Sequence, residues 1–173
     1  VKHRVNVSAI FVTGLSNGCA MAQRYAVETR HHRVTAVTCV SHSLAIDLGL
    51  YPRRQIPFML RLGELDEKFG SEHLGQTTML QWLRYRGCLD GARTSGRPLA
   101  GSWATWEAAV ALATAVNTTR ATENSGSVTR TQHERTLTWQ CDGAPLVYTR
   151  ANDVGHMNAG CVEVEWEFMR RFL

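Results

Sequence analysis

Gly14-Leu15-Ser16-Asn17-Gly18 constrains this chain more than any other five residues in it. Before it runs Ala9 to Thr13 (AIFVT), β-branched and almost wholly apolar, which reads as a buried parallel strand. After it, from Asn17 to Thr29, Ala20, Met21, Tyr25 and Val27 recur at near-helical intervals. A serine between glycines, where a strand turns into a helix, is the setting of a nucleophile elbow. The backbone at such a serine is strained, and a bulky side chain at Gly14 or Gly18 would collide with the turning chain. The strain lifts the Ser16 hydroxyl above the sheet edge, and the first N–H groups of the helix, that of Asn17 foremost, face the place where an oxyanion would develop. The plainer alternative is a glycine-rich turn that binds a phosphate or merely reverses the chain.

The rest of the chain supplies strands and helices in alternation. Val34 to Val40 (VTAVTCV) and Ile56 to Leu62 (IPFMLRL) read as further strands, and Ala144 to Thr149 (APLVYT) as a fourth. Helices are expected over Leu74–Tyr85, over the alanine-rich Trp103–Val116 and over Val162–Leu173, the last with an apolar face of Val162, Trp166, Met169 and Phe172. Gly87 to Ser102 reads as a loop or cap insertion, Asn117 to Gly126 as exposed and polar, and Thr129 to Gln140 alternates only weakly. Strand, helix, strand is the order of an α/β sheet wound with flanking helices. At 173 residues, 44% of them hydrophobic and 20% charged, one domain over residues 1–173 with a packed core is expected.

Composition narrows the function classes. The net charge of +4 comes from scattered residues, with no Lys/Arg block and no basic stripe with interleaved aromatics, so nucleic acid is not an expected partner. The longest apolar runs are too short to span a bilayer. No charged-then-apolar leader is read at the start, and an opening on Val1 rather than Met leads to the expectation that something upstream has been removed or was never captured. The five cysteines, Cys19, Cys39, Cys88, Cys141 and Cys161, contain no CxxC pair, so no structural zinc site is expected. Their odd number leaves at least one free thiol or an intermolecular partner, and their spacing does not decide the pairing.

A serine hydroxyl is a poor nucleophile until a base takes its proton, so a histidine and a carboxylate must follow in the order Ser, Asp/Glu, His. Asp66 follows the strand that ends at Leu62, in RLGELDEKFG, where the carboxyl ends of strands gather chemistry. Glu64 and Glu67 are rival acids. His156, in the glycine-bracketed ANDVGHMNAG, follows the Ala144–Thr149 strand and precedes the last helix. Of the other histidines, His3 and His42 precede any plausible acid, His31 and His32 sit on a polar helix end, and His133 lies in a polar stretch; His73 also competes. Trp82, Trp103, Trp106, Trp139 and Trp166 are candidates either to stack on an aromatic acyl group or, as is commoner, to pack the core or surface.

These segments resemble, in order, the secreted polyhydroxybutyrate depolymerase and feruloyl esterase group of α/β-hydrolases. VTGLSNGCAMAQRYA is similar to the elbow of that group, VTAVTCVS to the following strand, IPFMLRLGELD to the acid strand and loop, SWATWEAAVALATAVN to the helix after it, CDGAPLVYTRANDVGHMNAG to the last strand and histidine loop, and VEWEFMRRFL to the closing helix. The resemblance implies an α/β-hydrolase-like, mostly parallel sheet with flanking helices, truncated at its N-terminal side. It implies a serine esterase with Ser16 as nucleophile, Asp66 as acid, His156 as base and Asn17 N–H in the oxyanion hole. No metal or organic cofactor is implied. The substrate would be a small or polymeric ester, the location secreted or periplasmic, and a second copy of the chain is a candidate to cover the exposed sheet edge. Two departures stand out: His156 leads into Met157-Asn158-Ala159-Gly160 where the group has Trp-Pro-Gly, and the early strands that carry a second oxyanion donor have no counterpart in Val1–Ser8. The alternatives are a catalytically impaired fragment or noncatalytic binding module on the same fold, and a peptidase or thioesterase with the same triad.

Overall fold

The computed structural model describes residues 6, 8–28, 34–42, 55–69, 71–86, 88, 105–124, 128–141, 144–156 and 162–173. Among these residues six strands form one sheet: β1 (Ile10–Leu15), β2 (Val34–Val40), β3 (Phe58–Gly63), β4 (Thr114–Asn124), β5 (Val128–Cys141) and β6 (Ala144–Ala151). Their spatial order is β1-β2-β3-β6-β5-β4. The pairs β1–β2, β2–β3 and β3–β6 are parallel, whereas β6–β5 and β5–β4 are antiparallel. The sheet is therefore mixed, not mostly parallel as expected. The antiparallel part is a long hairpin inserted between the third and last parallel strands, and β6 joins the two halves.

Helices cover both faces. Helix α1 (Asn17–Glu28) buries Cys19, Ala22, Gln23, Ala26 and Val27, a stripe at intervals of three and four. That stripe is not the one the apolar pattern suggested, for Met21 is 66% exposed. Helices α2 (Glu72–Tyr85) and α3 (Trp106–Ala111) lie on the same face, where Phe58, Leu60 and Leu62 of β3 meet Met79, Trp82 and Leu83. Phe58 stacks on Trp82 at 4.3 Å. The intervening residues Met59 and Arg61 point to the other face, as strand alternation requires. There α4 (Val162–Met169), continued by a 3-10 turn over Arg170–Phe172, packs Val164 and Phe168 on Ala36, Met59 and Val147. Val162 and Trp166, placed on the apolar face in the sequence, are instead 78% and 47% exposed.

This second face is unusually polar for a core. Glu165 accepts the hydroxyls of Thr13 and Thr38, and Arg61 forms a buried ion pair with Glu134 across β6. The helix expected over Trp103–Val116 is confined to Trp106–Ala111; Thr114 to Val116 instead pair with Thr138 to Thr136. Cross-strand pairing of β-branched residues overrides the helix propensity of the alanines there. Asn117 to Asn124, part of the segment expected to be polar and exposed, continue this strand. The 87–102 insertion lies outside the described residues except for Cys88. No helix among the described residues is long and apolar enough to cross a membrane.

Among the described residues, disulfides join Cys19 to Cys39 and Cys88 to Cys141. The first ties the opening turn of α1 to the end of β2. The buried amide of Gln23 donates to both of its sulfurs, while the Gln23 carbonyl oxygen accepts from Trp82 Nε1 at 3.0 Å.

Candidate active site

The four parallel strands end side by side, and each delivers one segment of a common site. At the end of β1, Ser16 has φ 55°, the left-handed region that costs a non-glycine residue roughly 1–3 kcal/mol. Its N–H donates to Val40 O at 2.9 Å, and its carbonyl accepts from Cys19 and Ala20 to start α1. A Cβ on Gly14 would overlap the Gly18 carbonyl, so position 14 must lack one. At Gly18 the expectation fails: a Cβ there meets nothing within 4 Å. The crowding at this turn is between Gly14 and the backbone of Gly18. Asn17 is the first residue of the helix, so its N–H has no acceptor within the helix and faces outward from its start.

Asp66 and His156 meet. His156 Nδ1 lies 2.7 Å from Asp66 Oδ2, and Asp66 is only 2% exposed. The other carboxylate oxygen, Oδ1, accepts the Phe69 N–H at 3.2 Å. Their two loops are laced together along the backbone: Glu64 N–H donates to Ala151 O at 2.8 Å and Leu65 N–H to Val154 O at 2.9 Å. The approach is so close that a Cβ on Gly63 would overlap the Val154 carbonyl oxygen. Glu64 is exposed and accepts the Asp153 N–H, and Glu67 is exposed, so neither rival acid occupies the place behind the imidazole.

The nucleophile candidate joins this pair through β2. Val40 accepts from the Ser16 N–H, and the next residue, Ser41, donates its hydroxyl to His156 O at 3.0 Å. Ser41 also has φ 55°. The Ser16 hydroxyl itself makes no hydrogen bond among the described residues, so the side chains of Ser16 and His156 share one end of the sheet without a direct bond. Such bonds often tighten only in the complex with substrate.

Sequence reasoning missed Ser41 and Phe69, and set His42 aside as a base. Ser41 and His42 follow β2, and Phe69 follows Asp66; the Phe69 ring stacks on His42 at 5.4 Å and tilts against His156 at 5.3 Å. A signal was present in Gly63, whose lack of a side chain permits the two loops to touch. Of the remaining histidines, His133 is exposed and bonded to Thr119, and His73 is exposed on α2. His3, His31 and His32 lie outside the described residues, as do Trp103 and Cys161. Trp82 and Trp139 are core residues rather than site residues, and Trp106 packs against Trp139 and Tyr148. Among the described residues no group of three or more His, Cys, Asp or Glu side chains could hold a metal ion.

No family model matches the chain, and no curated protein matches it.

Proposed function

We propose that the chain is a serine hydrolase of carboxylic esters, with Ser16 as nucleophile, His156 as general base and acid, Asp66 as the orienting carboxylate and Asn17 N–H as an oxyanion donor, on an α/β-hydrolase fold. The observation that carries this reading is the 2.7 Å contact between His156 and buried Asp66, residues 90 apart in sequence. Facing that carboxylate, the imidazole carries its proton on Nδ1 and presents Nε2 as a base. Nε2 takes the Ser16 proton as Oγ bonds to the ester carbonyl carbon, and the Asn17 N–H meets the resulting oxyanion. Collapse breaks the bond to the alcohol oxygen, which departs with the proton from Nε2. Water then attacks the acyl-enzyme by the same proton path and returns free Ser16 and the acid. Each step uses only these side chains and water.

The resemblance to polyhydroxybutyrate depolymerases and feruloyl esterases favours polyester, feruloyl or acetyl esters as substrates. Two disulfides favour a secreted or periplasmic location, since such bonds persist in oxidising compartments. Among the described residues β1 has β2 as its one neighbour, and a second copy of the chain is a candidate to cover the outer edge. A second reading, a catalytically impaired or noncatalytic module, draws on the absence, among the described residues, of a bond from the Ser16 hydroxyl.

The test is hydrolysis of short- and long-chain p-nitrophenyl esters, with labelling by a fluorophosphonate, for the wild-type chain and Ser16→Ala. The expected result is turnover and labelling in the wild type, with turnover lower by at least about 10³-fold in the variant. Hydrolysis that survives Ser16→Ala overturns the mechanism. Labelling without turnover selects the impaired module.

A further inference from the structure

Phe69 is placed oddly for a ring with only a packing role. It is clasped on two sides by the His42 and His156 rings, and its N–H is fixed to Asp66, yet 42% of the residue remains exposed. Two more exposed apolar side chains adjoin the site in sequence: Leu65, 60% exposed, precedes Asp66, and Leu15, 37% exposed, precedes Ser16. Single exposed apolar residues need no explanation. An aromatic ring held rigid against the base of a proposed hydrolytic site is different, because it offers apolar contact area with little ordering cost left when a ligand arrives.

Which part of an ester would meet it follows from the mechanism. The departing alcohol oxygen must come within about 2.6–3.2 Å of the His156 nitrogen that protonates it. The Phe69 ring lies 5.3 Å from that imidazole, centre to centre, within reach of the first carbons of an alcohol held there. The acyl carbon, bonded to Ser16 Oγ in the acyl-enzyme, lies on the other side of the ester oxygen from these carbons. We infer that Phe69 is a specificity-determining residue whose exposed ring seats the alcohol portion of the ester, so that esters of aromatic or bulky apolar alcohols are preferred to those of small ones. The inference rests on the esterase reading.

The test compares benzyl acetate with ethyl acetate, whose leaving alcohols have similar basicity, and ethyl acetate with ethyl octanoate, in the wild-type chain, Phe69→Leu and Phe69→Ala. Neither substitution removes the backbone N–H that Asp66 accepts. Phe69→Ala is expected to lower kcat/KM for benzyl acetate roughly tenfold, chiefly through KM, and that for ethyl acetate less than about twofold, with Phe69→Leu between. Equal losses for the two alcohols would mean that the ring only positions His156. A selectivity change that follows the octanoyl chain would assign it to the acyl side. Either result, in an active enzyme, overturns the inference and leaves the esterase reading standing. A folded wild-type chain that hydrolyses none of the three esters overturns both.

Discussion

Ser16 and Gly14 divide the demands of this tight turn between them. Ser16 takes the left-handed backbone, and Gly14 leaves room for the returning carbonyl of residue 18. Gly14→Ala should therefore cost about 1–3 kcal/mol of stability through overpacking against rigid backbone. Gly18→Ala, with open space around the new methyl group, should be neutral or stabilising by up to ~1 kcal/mol, as alanine is in a helix. Urea unfolding of the two variants separates these outcomes, and equal losses would contradict the division. The pentapeptide was readable because its glycine spacing coincides with a change of apolar period. The His156–Asp66 pairing was readable from chain order and from loops that follow strands. Ser41, His42 and Phe69 were not, since each acts on a partner brought near only by the sheet. Gly18 was misread because spacing alone does not say which of two glycines lacks room.

At the first turn of α1, the Cys19–Cys39 bond and the Gln23 amide hold the helix that begins at the proposed nucleophile against the strand that holds the proposed base. Closing a loop of 20 residues restricts the unfolded chain by about 3 kcal/mol in the chain-entropy account. Cys19→Ala/Cys39→Ala should lose stability of that order in urea unfolding, and a loss well under about 1 kcal/mol would show that packing alone fixes α1. The parallel strands could be read because β2 and β3 are buried on both faces and appear as mostly apolar runs, interrupted only by Thr35, Thr38 and Arg61. The hairpin could not. Its strands carry threonine, arginine and glutamine in weak alternation, and its start borrows alanines that favour a helix. The buried faces of α1 and α4 were misplaced because the sheet accepts Cys19, Gln23 and Glu165, while Met21, Val162 and Trp166 are left outside.

Strand β6 holds the molecule together, parallel to β3 on one side and antiparallel to β5 on the other. Tyr148 sits at this seam, its ring 5.6 Å from Trp106 and its hydroxyl near Gly75 of α2. Burial pushes its phenol above the ordinary tyrosine value, outweighing the opposite pull of Arg150. The folded chain then holds that proton more tightly than the unfolded chain. Its contribution is fully present below the unfolded value of about pH 10 and is lost as pH rises through the higher folded value. Stability measured by urea unfolding should fall above about pH 10, and Tyr148→Phe should flatten that fall. An unchanged alkaline limb in the variant would assign the loss to other groups. The mixed sheet was only half legible, since the apolar runs reveal four strands and the polar hairpin hides the reversal of direction. Finally, the two residues Val40 and Ser41 grip the chain to either side of them, one through the Ser16 amide and the other through the His156 carbonyl. The proposed attacking group and proton acceptor are thus mounted on a single bracket: a distortion of β2 would carry both segments together, where separate supports would let them drift apart.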